Sequence, residues 1–321
     1  TTCNENYFFP DVQAQTYSRL GFRATVGLPV IEFPSPWAAS TAEYFDKALE
    51  VFDAWRGDAL IRFAFAPHAP YTVSDASFER IGMLSAQLDI PIHCHVHETA
   101  QEIEDSVKQH GQRPLARLDR LGIVDPRLIA VHMTQMTESE IRLCAERGVH
   151  IAHCPQSNLK LASGFCPVEA LRRAGANVAI GTDGCASNND LDMFEETRNA
   201  ALLAKAVAGD ARALDAASAL EAATINGARA LGREDEIGSI EAGKQADLAL
   251  VSLSDLELQP IYSVVSHLVY VATRHQVSDV WIAGKPKLRD RRLVDIEADA
   301  LKAKARRWAQ RIADIPRGAR T

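Results

Sequence analysis

The chain lacks an excess of positive charge, and it has no apolar run long enough to cross a membrane. Its 321 residues hold 35 Lys and Arg against 42 Asp and Glu, a formal net charge of −7. A chain of this charge does not offer the basic surface that nucleic-acid binding needs. No apolar run approaches the roughly 20 residues of a transmembrane helix. We therefore expect no nucleic-acid partner and no association with a membrane.

Paired cysteines are also absent. The six cysteines stand singly, without CxxC spacing, at Cys3, Cys94, Cys144, Cys154, Cys166 and Cys185. Scattered cysteines inside apolar segments are typical of a reduced protein and argue against a disulfide framework. We expect a cytoplasmic protein that forms a homo-oligomer, either a dimer or a tetramer.

Short apolar runs alternate with longer helical patterns, which is typical of βα units and a parallel sheet. Strands are predicted at 1–4, 22–28, 60–66, 90–96, 128–132, 149–154 and 178–182, and helices at 41–55, 75–88, 138–147, 167–174, 191–208 and 213–231. Seven strand–helix units are visible where a closed (β/α)8 TIM barrel needs eight. A flavodoxin-like open sheet is the alternative, but it does not explain why polar residues end nearly every strand.

The pattern changes after Leu231. Turn glycines precede a dense apolar strand at residues 237–251, and residues 277–288 read as a strand, a Gly-Lys turn and a second strand. We predict a barrel over residues 1–236 and a small β-rich domain over 237–294. A C-terminal helix at 296–312, with a tail, completes the predicted third part, 295–321.

Polar side chains end three of the predicted strands. His95 and Glu98 follow one apolar run, His132 ends the next, and Asp183 follows a third. The carboxyl ends of barrel strands converge on one mouth, so these groups predict a metal-assisted hydrolase. The alternatives are buried structural histidines and an ordinary turn aspartate. His93 and His97 share a strand face with His95, so the spacing alone leaves the identity of the ligand open.

Two loops after strands suit substrate binding. Residues 66–71, Ala-Pro-His-Ala-Pro-Tyr, place His68 between two prolines. Residues 153–160, His-Cys-Pro-Gln-Ser-Asn-Leu-Lys, carry Ser157 and Asn158. Barrels place specificity in such loops.

Together these strings resemble the amidohydrolase superfamily. The resemblance rests on His95-Val-His-Glu98, on the two loops above, on Val131-His132 and on residues 181–189, Gly-Thr-Asp-Gly-Cys-Ala-Ser-Asn-Asn. More narrowly, the chain resembles the methylthioadenosine/S-adenosylhomocysteine deaminases, which are relatives of the triazine chlorohydrolases. The similarity covers essentially the whole chain, including residues 238–247.

The resemblance implies one divalent metal, usually zinc, bound by His95, Asp183 and a His-x-His pair from the first barrel strand. It implies that Asp183 takes a proton from the attacking water and that His132 orients the nucleophile. Glu98 would protonate the ring nitrogen next to the carbon that bears the amino group. His68 would contact the ribose, and Ser157 and Asn158 would shape the pocket.

No His-x-His pair precedes residue 93. We expect that pair, the first barrel strand and an N-terminal β segment upstream of Thr1. The alternative is a short, metal-free protein that binds nucleosides without catalysis.

The segment Val26–Trp37 is apolar and contains no arginine. Family members that accept the homocysteine tail carry arginines in this region, so the resemblance predicts a preference for methylthioadenosine, with the methylthio group against Phe33 and Trp37. The alternative for Trp37 is that it packs its loop onto the barrel. S-adenosylhomocysteine, adenosine, and an amino- or chloro-substituted ring of the guanine or triazine type are the other substrates left open.

Overall fold

Seven parallel strands form the main sheet of the computed structural model, which describes residues 1–315. They are β1 (Thr2–Glu5), β2 (Arg23–Val30), β3 (Ile61–Pro67), β4 (Ile92–Val96), β5 (Leu128–His132), β6 (His150–His153) and β7 (Asn177–Ile180). Each strand pairs with the next one along the chain, so the order in space is the order in sequence.

That strand order decides between the two predicted folds. A doubly wound open sheet reverses its strand order at a switch point, whereas a TIM-type barrel adds each strand beside the one before. The sheet is therefore the curled wall of a TIM-like barrel, and the predicted fold class is confirmed. All eight residues of β2 are buried, as expected for a parallel strand covered on both faces.

Helices follow the strands and cover the sheet. They are α1 (Pro10–Leu20), α2 (Thr41–Trp55), α3 (Asp75–Leu88), α4 (Ala100–His110), α5 (Pro114–Arg120), α6 (Glu138–Glu146), α7 (Pro155–Lys160), α8 (Val168–Ala174), α9 (Met193–Ala208), α10 (Ala216–Ala222) and α11 (Ile225–Ala230). Serine and threonine caps fix several starts, because Ser40, Ser74, Thr99 and Thr137 each accept a backbone N–H of the first turn.

The helices at 41–55 and 75–88 have the predicted bounds, but the single helix predicted at 213–231 was wrong. The chain forms α10 and α11 instead, because the backbone of Thr224 leaves the helical region with φ −131 and ψ −93. Its hydroxyl donates a hydrogen bond to the carbonyl of Leu220 at 2.7 Å. A threonine that bonds back to the preceding turn competes with helix continuation.

A second, antiparallel sheet follows the barrel. It contains β8 (Leu248–Val251), β9 (Val277–Ile282), β10 (Lys285–Arg289) and β11 (Arg292–Leu293), in the order β11-β10-β9-β8. The predicted hairpin is present, with its turn at Ala283-Gly284, one residue earlier than expected. Both turn residues have positive φ, 49 and 74, which suits the twist of a two-residue hairpin loop.

The segment between β8 and β9 is less β-rich than predicted. It contains 3-10 turns at Leu256–Leu258 and Arg274–Gln276 and the helix α12 (Val264–Tyr270), which packs against α9 and α10 of the barrel. The domain boundaries at residues 237 and 295 stay predictions. The helix α13 (Ala298–Ala313) falls at the predicted place and is exposed along its length. The predicted tail beyond residue 315 lies outside the described residues.

A buried ion pair joins the barrel to the small sheet. Arg23, the first residue of β2, bonds to the carboxylate of Asp247, and their side chains are only 1% and 3% exposed. The other oxygen of Asp247 accepts the backbone N–H of Ala283 in the hairpin turn at 2.8 Å. One carboxylate therefore fixes both β2 and the hairpin.

Within residues 1–315, no helix is both long and apolar enough to cross a membrane.

We predict that Asp247→Asn lowers the free energy of unfolding by about 3–5 kcal/mol, because it leaves a guanidinium buried without its counter-ion. Urea unfolding followed by circular dichroism measures the change. Arg212→Gln is the control, since Arg212 pairs with Asp210 on the surface with its side chain 89% exposed. Exposed pairs contribute little. Equal effects of the two substitutions would contradict the structural role of the buried pair.

Candidate active site

The carboxyl ends of β4, β5 and β7 place the predicted functional groups at one edge of the barrel. His97, His132 and Asp183 have left-handed backbone there, with φ of 55, 75 and 60. Residues other than glycine rarely adopt this conformation, and such strain gathers at functional sites. The chain turns sharply at each strand end, which is how side chains from separate strands come to face one another.

His95 lies at the centre of this group. Its Nδ1 lies 2.6 Å from the carbonyl oxygen of His68 and must donate to it. Its ring stacks on that of His132, with centroids 5.5 Å apart, and lies 5.3 Å from that of His68. Burial lowers the pKa of His95, and the neighbouring His132 acts in the same direction. His95 is therefore neutral at pH 7, and its Nε2 carries a free lone pair.

His132 connects the group to its neighbours. Its Nδ1 donates to Oδ1 of Asn158 at 2.9 Å, and its Nε2 lies 3.9 Å from Oε2 of Glu98. Both the imidazole and Asn158 are buried. The amide of Asn158 thus sets which ring nitrogen of His132 carries the proton and holds the other toward Glu98.

The turn that carries Glu98 is fixed by its backbone. The buried carboxylate of Glu102 accepts the N–H of His97 at 3.0 Å and that of Glu98 at 2.7 Å. The hydroxyl of Thr134 donates to the carbonyl of Glu98 at 2.7 Å. The side chain of Glu98 remains 21% exposed. The carboxyl group of Glu98 is therefore partly accessible, although the backbone of its turn is held by hydrogen bonds.

Asp183 is held by neutral donors. Its Oδ2 accepts the hydroxyls of Ser157 at 2.5 Å and Ser187 at 2.6 Å, and its Oδ1 accepts the backbone N–H of Gly184 at 2.7 Å. Burial alone would raise the pKa of Asp183. These three hydrogen bonds and the nearby His132 outweigh burial and hold the pKa below its usual value. The carboxylate is therefore ionised at neutral pH.

His68 borders the same group. Its Nδ1 contacts Oγ1 of Thr72 at 2.9 Å, and its ring meets that of Tyr71 edge-on at 5.8 Å. Burial, with a further contribution from His95, lowers the pKa of His68 to about 4. A neutral imidazole beside an exposed tyrosine can accept or donate a hydrogen bond to a ligand. The predicted contact with a ribose stays a prediction.

The other predicted substrate residues have contacts within the protein. Ser157 and Asn158 are 0% and 3% exposed, and they bond to Asp183 and His132 as described above. Trp37 is 6% exposed and packs on Tyr44 of α2, with ring centroids 5.5 Å apart. These contacts give the first two a positioning role and favour the packing alternative for Trp37. Their direct contact with substrate stays a prediction.

Several residues that sequence reasoning did not assign support the site. They are Glu102, Thr134, Ser187 and Glu196. Ser187 lies inside the string that identified Asp183, and Glu102 follows Thr99 at the spacing of a helix cap, so both had a local signal. Glu196, a fully buried acid on α9, had none, because its partners come from distant loops.

The available donors fit a divalent metal. A neutral imidazole with a free Nε2 and an ionised carboxylate are the forms of His95 and Asp183 that ligate zinc. The hydrogen bond from Nδ1 of His95 to a carbonyl is the orienting contact typical of metal-binding histidines.

A separate acidic group, Asp190, Asp192 and Glu195, has oxygens within 4.8 Å of one another. Arg274 lies within 4 Å of the first two.

A TIM-like barrel that presents His, Glu and Asp at the carboxyl ends of its strands defines a barrel hydrolase. The model of the amidohydrolase family matches residues 1–287. The chain belongs to the amidohydrolase family, which makes it a hydrolytic enzyme, and the resemblance drawn from its motifs is confirmed.

Its relatives carry consistent names. A 5-methylthioadenosine/S-adenosylhomocysteine deaminase of Teredinibacter turnerae is 48% identical over 313 residues, which cover 97% of this chain and 71% of the relative. The protein of that name from Saccharophagus degradans is 44% identical, covering 97% and 70%.

Solved structures agree on the fold. An adenosine deaminase from Xanthomonas campestris, crystallised with bound zinc, is 68% identical with a TM-score of 0.97, covering 98% of this chain and 72% of that one. The atrazine chlorohydrolase of Arthrobacter aurescens has a TM-score of 0.89 at 23% identity, covering 96% and 72%, and this likeness shows the fold alone.

We predict that the protein loses stability as the pH falls from about 6.5 to 4.5. Burial is the main cause that lowers the pKa of His68 and His97 to about 4 and that of His93 and His153 to about 3. Below pH 6.5 the histidines of the unfolded chain bind protons, whereas the same rings stay neutral in the folded protein, so acid favours unfolding. Burial raises the pKa of Glu102 to about 7 and that of Glu196 to about 8, and these two opposite effects are outnumbered by the four histidines.

Urea unfolding at several pH values measures this slope, about 1.4 kcal/mol per pH unit for each net proton. His153→Gln should flatten the slope by about one proton. His275→Gln, at an exposed position, should leave it unchanged. A stability that is flat or rises on acidification would show that the buried histidines do not control it.

Proposed function

We propose that the protein is a zinc-dependent hydrolytic deaminase of an adenosine-type nucleoside, with 5′-methylthioadenosine as its substrate. The observation that carries the proposal is the convergence of Glu98, His132, His95 and Asp183 on one edge of the barrel. These groups come from three strands. Hydrogen bonds hold the side chains of His95, His132 and Asp183 and the backbone of the turn that carries Glu98. The names of the relatives support deamination of a nucleoside over hydrolysis of a triazine.

In this proposal His95 and Asp183 hold the divalent metal, and the metal is zinc. When bound, the metal supplies a water molecule whose pKa is lowered toward about 7. The hydrogen-bond donors around Asp183 and the carbonyl that accepts from His95 keep both side chains in the forms that bind a cation. The zinc in the Xanthomonas campestris structure supports this choice of metal.

The chain's own residues then carry the protons. Asp183 accepts a proton from the attacking water while His132, fixed by Asn158, orients it. The water oxygen bonds to the purine carbon that bears the amino group, and Glu98 protonates the adjacent ring nitrogen. The carbon–nitrogen bond to the amino group then breaks. The amino group receives the proton held by Asp183 and leaves as ammonia, the hydroxyl on the ring carbon returns a proton to Glu98, and the inosine analogue remains.

The loop after β2 supports the choice of substrate. Glu32 is the one charged side chain in Val26–Trp37, and it accepts hydrogen bonds from the hydroxyls of Thr41 and Ser77 at 2.7 Å each. Phe33 is 51% exposed. The segment offers an apolar surface, and its one carboxylate, Glu32, is already hydrogen-bonded within the protein. It contains no cationic side chain that could pair with the carboxylate of a homocysteine tail. A buried carboxylate without a partner is costly.

We predict that Glu98→Gln lowers kcat for nucleoside deamination by about 10²–10⁴-fold, because the amide cannot deliver a proton. Bound zinc should remain, since Glu98 is not a ligand in this proposal. Ammonia release and elemental analysis measure the two effects. The matched control is Glu104→Gln on the exposed face of α4, which should change neither. Near-normal turnover, or loss of zinc, in the Glu98 variant would contradict its assigned role.

We predict that kcat/KM for methylthioadenosine exceeds that for S-adenosylhomocysteine by at least about tenfold, which requires about 1.4 kcal/mol. Phe33→Arg should narrow the ratio, because a guanidinium would pair with the tail. Trp37→Phe is the control, since it keeps an aromatic ring on Tyr44 and should leave the ratio unchanged. A ratio near one in the parent enzyme would show that this loop does not set specificity.

A further inference from the structure

The fully buried carboxylate of Glu196 lies between the two segments that hold Asp183, the helix α7 and the loop after β7. Its Oε2 accepts the backbone N–H of Gln156 at 3.3 Å, and its Oε1 accepts a hydrogen bond from the side-chain amide of Asn188. Asn188 accepts the N–H of Leu191 through Oδ1 at 3.1 Å. That bond fixes the orientation of the amide and leaves its NH2 to face Glu196. Both oxygens of Glu196 therefore face donors.

Each of these donors is next in sequence to a residue that donates a hydrogen bond to Asp183. Gln156 precedes Ser157 in α7, and Asn188 follows Ser187 in the loop after β7. The two serine hydroxyls donate to the same oxygen, Oδ2 of Asp183, at 2.5 and 2.6 Å. A single carboxylate on α9 therefore contacts both of the segments whose hydroxyls meet on one atom.

A role in packing alone does not explain a carboxylate here. Within residues 1–315 the structure records no ion pair for Glu196, in contrast to Glu169, a buried acid on α8 that pairs with Arg172 and Arg173. Burial raises the pKa of Glu196 to about 8, and the hydrogen bonds from Gln156 and Asn188 act against that rise. A buried acid without a counter-ion is costly to ionise, and acids with such a shifted pKa gather at functional sites.

We propose that Glu196 is a positioning residue that places the hydroxyls of Ser157 and Ser187 on Asp183 and so fixes the orientation of that carboxylate. The proposal rests on the function proposed above for Asp183. Glu196 does not itself touch the reacting atoms. It acts through α7 and the loop after β7, and its loss lets Asp183 rotate away from the direction in which it binds the metal and takes the proton.

The test begins with Glu196→Gln, which keeps the size of the side chain but makes one of its two acceptors a donor. In the zinc-loaded enzyme at pH 8.5, kcat should fall about 10–100-fold, with KM changed less than about threefold. Zinc affinity, measured by competition with a chelator, should weaken by at least about tenfold. Unchanged kcat and unchanged zinc affinity would overturn the proposal.

A second substitution supplies the rescue. Asn188→Asp in the Glu196→Gln background again pairs a donor with an acceptor between positions 188 and 196. The new carboxylate can accept from the introduced amide and from the N–H of Leu191. The double variant should recover kcat to within about threefold of the parent, whereas Asn188→Asp alone should lower it. A double variant as impaired as Glu196→Gln would count against positioning by these hydrogen bonds.

Glu169→Gln is the control for a structural effect, since it removes a buried acid that accepts the N–H of Leu214 at 3.0 Å far from Asp183. It should lower the melting temperature and leave kcat and zinc affinity unchanged. If Glu196→Gln behaves in the same way, its role is structural and the proposal fails.

A double-mutant cycle that combines Glu196→Gln with Ser187→Ala keeps the proposal testable even if Glu196→Gln alone folds poorly. If Glu196 acts through this hydroxyl, the two substitutions together should cost less than the product of their separate effects on zinc affinity. Effects that multiply fully would overturn the proposal. The zinc measurement also separates the two hypotheses, because a parent enzyme that deaminates no nucleoside refutes the proposed function while the effect of Glu196 on zinc affinity is still measured.

Discussion

Parallel pairing of seven strands in sequence order is the constraint on which the rest of this structure depends. A parallel strand needs a crossover connection before the next one can pair with it. Each crossover brings the chain back to the same starting edge, so every strand ends at the opposite edge. The residues after β4, β5, β6 and β7 therefore meet, although the stretch from His95 to Asp183 spans much of the chain.

Hydrogen bonds to the backbone turn this convergence into a defined geometry. The left-handed conformations at His132 and Asp183 are strained, and a strand end alone would not maintain them. The hydrogen bond that Thr134 donates to the carbonyl of Glu98 and those that Glu102 accepts from the same turn restrain this edge. The bonds that Ser157 and Ser187 donate to Asp183 restrain it further. The groups that would react are thus held by residues that would not.

The sequence predicted the strands and their polar ends because both signals are local. Apolar runs followed by His95, His132 and Asp183 are visible without any tertiary information. The break at Thr224 depends on one hydroxyl that bonds to the preceding turn, and the burial of Trp37 depends on where Tyr44 lies. Glu196 reads as one more acid on an amphipathic helix, because its partners lie in other segments, Gln156 in α7 and Asn188 in the loop after β7. Contacts between distant segments have no local signature.

The electrostatic balance of the site also follows from these contacts. Within residues 1–315, the structure records no ion pair between Asp183 and an arginine or lysine; two hydroxyls and one backbone N–H satisfy its oxygens instead. The surrounding imidazoles of His68, His93 and His95 are kept neutral by burial. Neutral donors hold a carboxylate ionised without cancelling its charge. A negative charge kept in this way, beside a free imidazole lone pair, attracts a cation from solution, whereas an arginine in place of either serine would remove that attraction.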